Sequence, residues 1–286
     1  MQPTPPVPPQ PQARSGRQPE MQPAAQSLAA GYVGAGKLRG QVAIVTGGDS
    51  GIGRATCVLF AREGASVALS YLPAAQSDAD ETATMVAGEG QRCLLLPGDL
   101  LDPAYCDRVV RDTVRHFGRL DVLVNNAAYQ EYRESIGEID DRQWDRSFRT
   151  NVYAYFYLAR AAMGYLGRGA AIVNVGSVTG LEGSEHLLDY ASTKGAIHAF
   201  TKSLAKNLAA KGIRVNAVAP GPVWTPLNVA AGLAGGVSHF GDEPPAGRPA
   251  QPEEIAPAIV FLASAIDSSY VTGEVLSLLG GRTTAA

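Results

Sequence analysis

Cysteine is scarce in this chain: Cys57, Cys93 and Cys106 are the only three in 286 residues, they show no CxxC spacing, and the four histidines are scattered. That count excludes a disulfide framework and leaves no zinc-ligand pattern, so no metal is expected. An excess of positive charge is missing too, since 24 Lys and Arg stand against 27 Asp and Glu and leave a net charge of -3. Without a basic field nothing draws phosphate backbones, and nucleic-acid binding has no electrostatic support. No apolar run approaches the ~18 residues that cross a bilayer, and the first residues carry no signal-peptide apolar region. The expectation is a cytoplasmic protein in a reducing compartment, with no membrane partner.

What is present supports a substantial core, because 45% of the residues are hydrophobic, and one α/β domain of this length is ordinary. The opening stretch "MQPTPPVPPQPQARSGRQPEMQPAAQSLAA" is the exception. Its Pro and Gln, with few large apolar residues, offer too little burial to offset ordering entropy. Residues 1–36 are therefore expected to form a disordered or extended arm, and residues 37–286 the folded domain. A PxxP-type recruiting role for the arm, or a path across a neighbouring subunit, remains open.

From Lys37 onward, short β-rich runs alternate with longer helix-like stretches, the pattern of βαβ units and a parallel sheet covered on both faces. Predicted strands are Val42 to Thr46, Ser66 to Tyr71, Cys93 to Pro97, Asp121 to Asn125, Ala171 to Val175, Arg214 to Ala219 and Glu274 to Leu279. Seven strands and six intervening helices make a single-domain, doubly wound α/β fold of Rossmann type. The Gly- and Pro-rich stretch from Gly232 to Pro252 reads as a binding loop or lid.

The segment "TGGDSGIGR", Thr46 to Arg54, puts four glycines into nine positions. It follows a predicted strand and opens a predicted helix, which is the setting of a dinucleotide fingerprint. Gly47 allows the tight turn, Gly51 lets the backbone approach a pyrophosphate, and Gly53 lets helix and strand pack closely. Four more features end successive predicted strands, where an open α/β sheet places its ligand crevice: "GDL" at Gly98, "NNAA" at Asn125, "VGS" at Val175 and "PGPVWT" at Pro220. Further on, Tyr190 and Lys194 lie four residues apart on one helix face. An ammonium beside a phenol favours phenolate, and the pair makes a proton donor whose pKa is expected to be lowered.

Taken together, Thr-Gly-x3-Gly-x-Gly, "NNAA", a lone Asn151 within "RTNVYAYF", Ser177, Tyr-x3-Lys and "PGPVWT" resemble the short-chain dehydrogenase/reductase family over Lys37 to Gly281. "TGGDSGIGRA" and "LLDYASTKGAI" are similar to its bacterial glucose/ribitol dehydrogenase-like or aldehyde reductase-like branch. The resemblance implies an NAD(P)-dependent oxidoreductase acting on an aldehyde, ketone or polyol. Tyr190 would be the general acid, with Lys194 on the nicotinamide ribose, Ser177 on the substrate oxygen and Asn151 holding a relay water. Cofactor contacts are implied at Gly47, Ser50, Gly51, Ile52, Gly53, Tyr71, Asp99, Leu100, Asn125, Ala127, Tyr190, Lys194, Pro220, Gly221, Val223 and Thr225. Asp99 could equally cap the following helix, and Asn125 could simply tie neighbouring strands.

The chain departs from the family pattern at Ala128, in the absence of a polar residue before the terminal Gly-Gly, in its long arm, and at Glu182, Glu185 and His186 beside the expected substrate position. His186 reads as a pocket or surface residue rather than a second acid. No carboxylate stands at Ser70 or Tyr71, where one would repel a 2′-phosphate, so NADP(H) is favoured over NAD(H), although no base is evident there either. The resemblance further implies a homotetramer. An alternative is a catalytically silent dinucleotide sensor or scaffold with the same fold.

Overall fold

Each β-rich run of the sequence forms a strand: β1 (Val42–Thr46), β2 (Ser66–Tyr71), β3 (Cys93–Pro97), β4 (Val122–Asn125), β5 (Ala171–Val175), β6 (Arg214–Pro220) and β7 (Val275–Leu278). They form one parallel sheet in the order β3-β2-β1-β4-β5-β6-β7. In register, Ile44 of β1 faces Ala68 of β2 on one side and Leu123 of β4 on the other. Strands β1, β4, β5 and β6 are buried throughout, whereas the edge strands β3 and β7 are only partly covered. Val, Ile and Leu dominate because both faces of a parallel sheet are dry. The computed structural model describes residues 2–10, 12, 16–231 and 237–284; the start of the Gly232 to Pro252 loop lies outside them.

The connections are α1 (Gly51–Arg62), α2 (Gln76–Gly88), α3 (Pro103–Phe117), α4 (Asp141–Phe148), α5 (Ala154–Ala162), α6 (Thr179–Glu182), α7 (Leu188–Leu208), α8 (Pro226–Val229), α9 (Pro252–Ala263) and α10 (Ala265–Ser268). Apolar residues of α1, α2 and α9 bury one face of the sheet, and those of α3, α5 and α7 bury the other. Each fully buried Leu, Ile or Val there contributes roughly 1.5–3 kcal/mol. Helix α3 is capped by Asp102, which accepts a 2.9 Å bond from the Ala104 N–H, so the capping role open to Asp99 belongs to Asp102. Between α4 and α5 the helix loosens into a π turn, Arg149–Tyr153, that carries Asn151.

The chain leaves β1 for β2 and β3, then returns to β4 beside β1, so the connections on either side of β1 diverge. That divergence opens a crevice above the carboxyl ends of the strands. The described residues of the arm run along the body, with a helical turn at Gln18–Glu20 and a turn closed by the Tyr32 N–H on the Ala29 carbonyl at 2.8 Å. Val7 and Met21 are buried to 3% and 2% exposure, in a cluster with Ala25, Trp224, Val229 and Val237. The Trp224 indole donates to the Pro23 carbonyl at 2.7 Å, and the Ala29 N–H donates to Glu253 at 2.6 Å.

Candidate active site

A cavity of about 790 Å³ lies over the switch point, walled by the segments that follow β1, β4, β5 and β6. At one end the glycine turn leads into α1. Gly47 and Gly51 have φ of +61° and +52°, in the left-handed region where side chains are strained. A Cβ on Gly53 would stand 1.9 Å from the Gly47 carbonyl oxygen, so only glycine lets α1 begin this close to the turn. The first N–H groups of a helix have no intrahelical partner and favour an anion; here the Gly51 N–H is taken by the Gln18 side chain of the arm at 2.7 Å. The Ile52 N–H follows it on the cavity wall. Cradle and volume together fit a dinucleotide, with the Gly51 N–H held by the arm. The Asn126 side chain fixes the turn from the other side, donating to the Thr46 and Gly47 carbonyls at 2.8 and 3.1 Å.

At the other end, α7 presents Tyr190 and Lys194 to the cavity, and β5 delivers Ser177. Lys194 is 1% exposed; its ammonium donates to the Val175 carbonyl at 2.7 Å and lies 5.3 Å from the Tyr190 ring centre. Ser177 is oriented by Thr179, whose N–H and hydroxyl donate to the Ser177 oxygen at 3.2 and 3.0 Å. Burial pushes the Tyr190 phenol up to about 12, opposed by a hydrogen bond with Ser177. Burial also pushes Lys194 down to about 7. The sequence expectation of a phenol lowered by its ammonium neighbour is thus reversed: burial raises the phenol and weakens the cation itself.

Most of the expected site residues meet on this cavity: Gly47, Ser50, Gly51, Ile52, Tyr71, Asp99, Leu100, Ala127, Ser177, Tyr190, Lys194, Pro220, Gly221, Val223 and Thr225. Three do not reach its wall. Gly53 acts through packing. Asn125 is fully buried and donates to the Asn174 side chain at 2.9 Å, tying β4 to β5, while the next residue, Asn126, lines the cavity. Asn151 is also buried, and both of its amide protons are committed, to the Tyr129 carbonyl at 2.9 Å and the Thr193 hydroxyl at 3.0 Å. Asp99 lines the wall and folds its carboxylate onto the Leu101 N–H at 2.9 Å.

The pattern in the sequence carried no signal for Thr179 or Thr193, and it marked Asn126 only as part of "NNAA" and the arm only by its composition. Only contacts across the fold reveal them. Beyond Tyr190 the cavity wall is polar, with Gln130 bonded to Asn228 at 2.7 Å, Glu182 paired with Arg282 at 2.6 Å, and His186 stacked on Tyr132 with ring centres 4.5 Å apart.

Residues 47–283 match the family model described as enoyl-(acyl carrier protein) reductase. The chain is 47% identical over 274 residues to an NADPH-dependent aldehyde reductase of Arabidopsis thaliana, covering 94% of this chain and 95% of that one. It is 46% identical over 280 residues to a glucose and ribitol dehydrogenase of Daucus carota, covering 96% of each. Among solved structures, a short-chain dehydrogenase of Burkholderia cenocepacia in complex with NADP superposes with a TM-score of 0.79 at 30% identity, over 86% of this chain and 98% of that one.

Proposed function

The chain belongs to the short-chain dehydrogenase/reductase family and is an oxidoreductase that moves a hydride between a nicotinamide dinucleotide and a carbonyl or alcohol; from that premise we propose that it reduces small polar aldehydes, sugars among them, with NADP(H) favoured over NAD(H). One observation carries the assignment of roles: Ser177, Tyr190 and Lys194 converge on the cavity that the glycine turn opens.

The bound dinucleotide supplies the hydride, delivered to the carbonyl carbon. With burial holding its pKa near 12, the Tyr190 phenol keeps its proton at neutral pH and can release it to the developing alkoxide. Ser177, set by Thr179, hydrogen-bonds the same oxygen, so charge that builds there meets donors already in place. Lys194 anchors to the Val175 carbonyl and keeps its ammonium beside the phenol. Asn151 holds the loop after β4 against α7, and any grip on a relay water would fall to its main-chain carbonyl. The four residues retained together argue against a silent sensor.

The NADP(H) preference is supported by the end of β2, where the residues that line the cavity, Ser70, Tyr71 and Leu72, include no carboxylate to repel a 2′-phosphate. The names of the Arabidopsis and Burkholderia relatives point the same way. A cytoplasmic homotetramer completes the proposal. Three unpaired thiols fit a reducing compartment, and Trp144, Tyr153 and Phe156 stand 44%, 44% and 45% exposed along α4 and its continuation into α5. Assaying the purified protein with NADPH and NADH against aldehydes, diketones, polyols and aldoses tests the reading. Oxidation of NADPH by polar aldehydes supports it; tight dinucleotide binding without turnover on any of them overturns it.

A further inference from the structure

Among the described residues of the folded domain, the adenosine end of the cavity lacks a Lys or Arg of its own. Three Lys and Arg residues line the cavity wall, and each is placed elsewhere. Lys194 stands at the catalytic end, Arg146 lies 4.4 Å over the Tyr129 ring, and Arg282 pairs with Glu182 and Glu243 at 2.6 and 3.2 Å. Arg54, beneath the turn, is 1% exposed and spends its guanidinium on the Asp49 and Asp78 carbonyls and on Glu81. A dianionic phosphate on the adenosine ribose would find no partner among them.

The arm brings one. Gly16 lines the cavity and passes so close to α8 that a Cβ there would lie 2.5 Å from the Pro226 carbonyl oxygen. Gln18, 6% exposed, closes the same stretch onto the first N–H of α1. Between these two fixed points stands Arg17, whose guanidinium donates to the Ser77 hydroxyl at 2.7 Å, at the start of α2. That helix follows the Tyr71 to Ala75 segment on the cavity wall. The arm thus bridges the starts of the two helices that flank the adenosine half of the crevice, Gln18 holding α1 and Arg17 holding α2. Among the described residues Arg17 forms a loose ion pair with Glu20 at 3.8 Å and its charge also acts on the Asp78 carboxyl, and half of its side chain is open to solvent.

We infer that Arg17, carried in by the N-terminal arm, receives the 2′-phosphate of NADP(H) and sets the preference for it over NAD(H). A guanidinium can present two parallel N–H groups to a phosphate, and the Ser77 hydroxyl beside it adds a third donor. Burial raises the carboxyl groups of Asp49 and Asp78 at this end above their ordinary range, and at Asp78 the neighbouring charges of Arg54 and Arg17 oppose that shift. The inference rests on the dinucleotide reading above and assigns its specificity to a residue outside the folded domain expected from the sequence.

The test measures KM and the dissociation constant for NADPH and NADH in the full chain and in Arg17→Gln, Arg17→Glu and Arg17→Lys. The expected result is a loss of NADPH affinity of at least about tenfold in the Gln and Glu variants, with NADH affinity changed by less than about twofold and partial recovery in the Lys variant. A parallel loss for both dinucleotides would make Arg17 a strut of the arm and overturn the inference, as would no loss for either. A wild-type chain that binds neither dinucleotide would sink the functional reading itself and this inference with it. Discrimination that persists in the Gln and Glu variants would sink the inference alone.

Discussion

Lys194 and Tyr190 hold opposite places on the pH scale for one physical reason: each is buried, and burial penalises whichever form carries charge. For Lys194 the folded pKa of about 7 lies below the unfolded value of 10.5. Between those values the unfolded chain binds more protons, so stability rises with pH across this window and is lost as pH falls toward 7. Urea midpoints of the ligand-free protein from about pH 7 to about pH 9 should therefore climb, and the climb should flatten in Lys194→Met. A slope that the substitution leaves intact would place its source elsewhere. Gly53 is constrained by space rather than charge, with 1.9 Å between a Cβ and the Gly47 oxygen. Gly53→Ala should cost about 1–3 kcal/mol of stability by overpacking, read from the same urea curves, and should weaken dinucleotide binding by displacing the turn.

Among the elements, the arm differs most from what composition suggests. Its Pro- and Gln-rich stretch carries few apolar groups, yet Val7 and Met21 complete a cluster that Trp224, Val229 and Val237 cannot close alone. Deleting residues 2–27 should expose Trp224 and shift its fluorescence to the red in a Trp144→Phe background; emission that stays blue would show that the arm does not cover it. The sheet was legible because its inner strands are dry on both faces and read as short runs rich in Val, Ile, Leu and Ala, and the glycine turn was legible because close approach of backbone demands missing side chains. The Tyr190–Lys194 pair followed from helical spacing. Contacts made by residues far apart in the chain were not legible. Thr193 on Asn151 and Gln18 on Gly51 leave no periodic trace, because Thr and Gln satisfy such roles anywhere. The direction of the Tyr190 shift was missed for a related reason: spacing reports the neighbour but not the depth of burial.

Over the whole molecule, a single parallel sheet brings the glycine turn, the π turn and the long helix α7 to one rim, and the arm ties that rim to Ser238 through the Val7 N–H. Trp144, Tyr153 and Phe156 stand exposed along α4 and its continuation into α5, and light scattering at micromolar concentration should give a tetramer that Phe156→Glu reduces to smaller species; a wild-type monomer would contradict that arrangement. The chemistry itself is tested most directly by transient kinetics of NADPH oxidation with a polar aldehyde, in the wild-type chain and in Tyr190→Phe. The account predicts a hydride-transfer rate lower by about 10²–10⁴-fold in the variant, with NADPH affinity changed by less than about twofold. A variant that turns over within about tenfold of wild type would mean that some other group delivers the proton.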